Sequence, residues 1–111
     1  MLRESFAAIV ARNETWTGKS ATEPYEAGWA SEAVVFVRAL KPVIGKPGRA
    51  RVEISPDGMR WAPEGTEFDL PTEKDGVGFA RLERFGTWLR IAADVPDGAA
   101  ITVLVTLHLK A

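Results

Sequence analysis

The sequence predicts an all-β fold, an antiparallel β-sandwich of jelly-roll type with about seven or eight strands, on three observations. Turn signals recur at short intervals: Ser55-Pro56-Asp57-Gly58 and Val95-Pro96-Asp97-Gly98 both place Pro second and Gly fourth, as type I turns prefer. Between the turns, short runs alternate apolar and polar residues with the period of two that a half-buried strand requires. Beyond the first dozen residues no stretch is a convincing helix candidate.

Residues 2–12 support two readings. Leu2, Phe6, Ile9 and Val10 fit a helical stripe, whereas Phe6, Ala8 and Val10 alternate and lead into Thr15-Trp16-Thr17. The strand is the preferred reading. Residues 14–30 read as irregular and are expected to cross between the two sheets. Ala33 to Leu40 is apolar on both faces apart from Arg38, as a central strand would be. Arg49 to Ser55 turns Ala50, Val52 and Ile54 inward and Arg49, Arg51 and Glu53 outward. Pro63-Glu64-Gly65 reads as a break. Phe79 to Phe85 is a further strand, turned at Gly86 into Thr87 to Ala93, where Leu89 and Ile91 oppose Trp88 and Arg90. The clearest strand is Ala100 to Lys110, with Ile101, Val103, Val105, Leu107 and Leu109 on one face and Thr102, Thr106, His108 and Lys110 on the other. On that register Val103→Asp should unfold the domain and Thr102→Asp should be mild.

Composition narrows the function. The chain has 111 residues, enough for one domain spanning 1–111. Fourteen basic residues against fifteen acidic ones leave a net charge of -1, which argues against nucleic acid and an anionic membrane surface as partners. No cysteine is present, so disulfides, thiolate zinc sites and cysteine nucleophiles are excluded. The one histidine, His108, reads as a solvated residue on the polar face of its strand. Neither a nucleophile–base pair nor a zinc site can be assembled around it. Asp57, Asp94 and Asp97 read as turn formers rather than calcium ligands. Asp75-Gly76-Val77-Gly78 lacks the following helix that a phosphate loop needs. No catalytic residues, cofactor or metal are therefore expected. No apolar run reaches the ~18 residues of a membrane span, and the first residues lack the layout of a signal peptide. Cytoplasmic synthesis is the expectation, with a particle or virion as an alternative destination.

Aromatic residues are the more informative inventory. Trp16 and Trp29 flank the irregular stretch and are expected to pin it, Trp61 to fold back across the sheet edge, and Trp88 to point to the second face of its strand. They either fill a core or subunit contact, or stack on sugar rings. In the second case Tyr25, Trp29 and Trp61 would be the platform, with Asp57 or Arg60 as hydrogen-bonding partners.

Arg51-Val-Glu-Ile-Ser-Pro-Asp-Gly-Met-Arg-Trp61 is a strand ending in Ser-x-Asp-Gly that delivers a Trp three residues after the Gly. Downstream, Trp88-Leu89-Arg90-Ile91 precedes a turn and the terminal strand Ile101 to Leu109. This order resembles small jelly-roll structural proteins of tailed phages and prophages and, more distantly, discoidin-type β-sandwich domains that bind carbohydrate or lipid. The resemblance spans residues 33–109. It implies the fold and a non-catalytic role, and it assigns no binding residue. Two functions follow as expectations: a structural or assembly protein acting through protein–protein contacts as a homo-oligomer, or a carbohydrate-binding module using loop tryptophans.

Overall fold

The computed structural model describes residues 5–111, which form nine strands and no helix. In chain order they are β1 (Ser5–Trp16), β2 (Gly18–Ala21), β3 (Tyr25–Glu26), β4 (Glu32–Ala39), β5 (Arg49–Ser55), β6 (Ala62–Asp69), β7 (Val77–Glu83), β8 (Trp88–Val95) and β9 (Ile101–Lys110). One sheet has the order β1-β9-β4-β7, and the other β2-β8-β5-β6, with β3 also paired to β8. Every pairing is antiparallel. β2 and β3 follow one another along the same strand, β8, so together they act as one interrupted edge. The result is a pair of four-position sheets linked by repeated crossings, the jelly-roll arrangement.

Residues 5–16 form a strand, as preferred over a helix, because β1 pairs with β9 along its length and Ala8, Val10 and Trp16 bury inward. Leu2 lies outside the described residues. The crossing expected within residues 14–30 occurs at Thr17, between β1 in one sheet and β2 in the other. That stretch is not irregular: it contains β2 and β3, which are too short for periodicity to reveal. β6 was hidden differently. Pro63 and Gly65 read as a break, yet both lie inside the strand, where a register shift against β5 absorbs extra residues and Gly65 takes φ 115°. An edge position tolerates this, since one side of the strand needs no ladder.

The core is the stripe that alternation picked out. Ile101, Val103, Val105, Leu107 and Leu109 of β9 pack with Val35 and Val37 of β4 and Val52, Leu89 and Ile91 of the facing sheet, all essentially solvent-free. Parity alone fails at several positions, among them the polar Thr102 and Glu53. Thr102 points outward but is 7% exposed, its Oγ1 hydrogen-bonded at 2.9 Å to Thr15 on β1. Glu53 points outward but is 8% exposed. Gly78 shows a close approach between the sheets, since a Cβ there would lie 2.5 Å from the Asp69 carbonyl oxygen.

Candidate functional site

The five residues expected to bind a ligand fall into separate groups. Tyr25 is half-buried against the core, and with Ser5, Phe6 and the partly exposed Trp29 it lines a shallow groove of about 470 Å³. Asp57 organises the β5–β6 turn. Its carboxylate accepts hydrogen bonds from the Met59 and Arg60 amides, both at 2.9 Å, and from the Ser55 hydroxyl at 3.0 Å. It also pairs with the Arg60 guanidinium at 2.8 Å. The Arg60 and Met59 amides, then the Ser55 hydroxyl, hold its pKa down at about 2. Gly58 follows with φ 80°, and a Cβ there would press to 3.3 Å on the Trp88 ring, so Trp88 packs beneath the turn.

Trp61 folds back over the outer face of the β2-β8-β5-β6 sheet. The Arg90 guanidinium lies 4.4 Å from its ring centroid, a cation–π contact. Arg90 Nε donates to Glu53 at 2.7 Å, Arg51 Nε donates to the same carboxylate at 2.9 Å, and Arg51 also reaches Asp94 at 3.0 Å. Burial pushes the Glu53 carboxyl upward, but the bonds from Arg51 and Arg90 and their charges outweigh it, so its pKa is lowered. These charges are spent on one another. At this face Arg49 is likewise paired with Asp69 at 3.2 Å.

The outer face of the β1-β9-β4-β7 sheet is different. Ile9, Phe79 and Val77 are each about half exposed, and between them Val34, Phe36 and Leu104 are partly open. The register aligns Ile9, Thr106, Phe36 and Phe79 in one row across all four strands. Phe36 stands 6.1 Å from Phe79 and edge-on to His108 at 5.2 Å, and the Arg81 guanidinium caps Phe79 at 5.3 Å. A groove of about 790 Å³ continues from this face around the end of the sheet, past Val34, Arg81, His108 and Lys110. The sequence signalled part of this surface, in the two-faced apolar run from Ala33 to Leu40. Ile9, Val77 and Phe79 were not singled out, because only the strand order brings them to the same row.

Among the described residues, no group of three or more His, Cys, Asp or Glu side chains could hold a metal ion. No helix among them is long and apolar enough to cross a membrane.

Fold and topology thus define the class, a jelly-roll β-sandwich. No protein-family model matches the sequence, and no curated protein resembles it closely enough to be called a relative. Among solved structures, the SPBc2 prophage-derived protein YomS superposes on 100% of this chain and 96% of its own, with a TM-score of 0.66 and 9% identity, which shows a shared fold. A CBM32 domain of Clostridium perfringens, solved with GalNAc-β-1,3-galactose, covers 93% of this chain and 94% of its own at 12% identity and a TM-score of 0.46. A structure of infectious bursal disease virus, Gx strain, aligns with 97% of this chain over 32% of its own at 9% identity and a TM-score of 0.48. These last two are looser likenesses, from which nothing about this chain follows.

Proposed function

We propose that this chain is a non-catalytic structural or assembly protein that works through protein–protein contacts made by the outer face of the β1-β9-β4-β7 sheet. One observation carries the reading: Phe36, Val77 and Phe79 leave a contiguous apolar surface on one sheet, with Ile9 beyond Thr106 in the same row, while Arg51, Glu53, Arg90 and Asp94 on the opposite sheet are paired with one another. Contiguous exposed apolar surface of this kind marks interaction sites more often than isolated exposed residues do. A homo-oligomer built into a particle or virion is the setting in which such a surface is covered. The jelly-roll fold shared with a prophage-derived protein is consistent with that setting.

Light scattering after size exclusion tests it. The expected result is a defined multiple of the 12.1 kDa protomer, reduced to the protomer by the double variant Ile9→Asp/Phe79→Asp with a cooperative thermal transition kept. A protomer mass at every concentration of the unmodified chain overturns the reading.

A second reading, carbohydrate binding, is favoured by the groove shared by Phe6, Tyr25 and the exposed Trp29. It expects a glycan that binds the protomer and is lost on Trp29→Ala.

A further inference from the structure

The four sheet edges are not equally protected. β1 is interrupted by register shifts between Ile9 and Ala11 and between Ala11 and Glu14, with Asn13 at φ 53°. β6 carries Pro63 and a register shift. The edge formed by β2 and β3 is split, with Pro24 in the gap. Bulges, prolines and short strands are the usual devices that stop an edge from pairing with another chain. β7 has no bulge, no proline and no interruption, and its two exposed charges, Arg81 and Glu83, are opposite in sign. Its seven residues, Val77–Glu83, pair with β4 in unbroken register and contain no proline.

The hydrogen-bonding side of β7 also follows from the ladder. The Ala39 amide donates to the Gly76 carbonyl at 3.0 Å, just beyond the opposed pair Arg38 and Val77. Alternation in an antiparallel ladder then turns Gly78, Ala80 and Leu82 toward β4. The amides and carbonyls of Val77, Phe79, Arg81 and Glu83 face the open edge. The same four residues carry the exposed side chains of the outer face.

We propose that β7 pairs antiparallel with β7 of a second copy of this chain, about a two-fold axis through Ala80, joining two four-stranded sheets into one. The inference rests on the assembly reading and adds to it a contact at the sheet edge, which leaves the joined outer faces open for the face contact. Three points fix the occupant and the register. Keeping apolar residues on the same face in both copies demands a centre on a residue, because a slip by one would invert the faces. A centre on Arg81 sets two like charges directly opposite, which is unfavourable. A centre on Ala80 uses the whole strand and opposes each Phe79 with the partner copy's Arg81, repeating across the axis the cation–π contact the two already make within one chain. Val77 then faces Glu83, and the two apolar rows merge across the axis.

Because the chain has no cysteine, single cysteines report the register cleanly. Val77 and Glu83 are exposed, and opposed residues in such a pair have Cα atoms about 5.5 Å apart, within disulfide reach. Val77→Cys and Glu83→Cys proteins are mixed at equal concentration and mildly oxidised, after melting curves show that each is folded. The expected result is a disulfide-linked mixed dimer that neither variant forms alone to a comparable extent. A multimeric solution mass with no mixed dimer, or with equal cross-linking of each variant alone, overturns β7 pairing and leaves the assembly reading standing. A 12.1 kDa mass at every concentration overturns both.

Discussion

The outer faces of the two sheets come from similar alternating strands and end as opposite surfaces. On the β2-β8-β5-β6 sheet, Glu53 takes bonds from both Arg51 and Arg90, and Trp61 stacks on Arg90. Charge and aromatic surface there satisfy each other within the chain. On the β1-β9-β4-β7 sheet the aligned positions hold Ile9, Phe36 and Phe79, of which Ile9 and Phe79 stay about half exposed and Phe36 partly open. A face that is internally satisfied contributes to stability. A face that is not retains free energy for association, since apolar area yields roughly 25 cal/mol per Å² only when something removes it from water.

Substitutions can break or sharpen this division of roles. The largest effect belongs to neither face: Val103→Asp places an unpaired charge among solvent-free residues of the core, and no cooperative thermal transition should remain. On the satisfied face, Glu53→Ala leaves two guanidiniums without their shared carboxylate. The expected loss is about 2 kcal/mol in denaturant melts, below the ~3–5 of a fully buried pair because both arginines keep contact with water. Solution mass should not change; a changed mass would end the division between the faces. Thr102→Asp should cost about 1–2 kcal/mol rather than being mild, because the position is covered by Thr15 and its hydroxyl is bonded there. On the open face, Phe79→Asp should cost about 1 kcal/mol, for its lost contacts with Phe36 and Arg81, while weakening association in the light-scattering measurement.

The smallest effect is a pH dependence. Asp57 has its pKa lowered from 3.8 to about 2, so its charged form favours the folded state. That contribution is complete above the ordinary value and is lost as pH falls through about 2. The melting difference between Asp57→Asn and the unmodified chain should therefore be constant above pH ~4 and shrink toward pH ~2.

Legibility in the sequence followed the range of the interaction. In β9, whose ten residues alternate without interruption, both the strand and its core stripe could be read, because burial on one face of a long strand needs only local order. The Ser55-Pro56-Asp57-Gly58 turn was legible for the same reason, since its bonds run between near neighbours. β6 was not, because a proline and a glycine signal a break unless the strand is known to lie at an edge. Tyr25 and Trp29 were read together and do share a groove, but with Phe6, which comes from another strand. Trp61 was expected to fold back, yet its partner Arg90 lies two strands away, across β5.

What the sequence determined by itself is the all-β class, the turns, and the inward stripe of the long strands, all set by dihedral preference and a two-residue period. The tertiary structure alone decided that outward-pointing Thr102 and Glu53 are buried, that β7 is the edge strand without bulge or proline, and that Ile9, Phe36 and Phe79 lie in one row. Those outcomes depend on which strands become neighbours. In a jelly roll the neighbours are distant in the chain, so their cover and their register are settled only when the two sheets assemble.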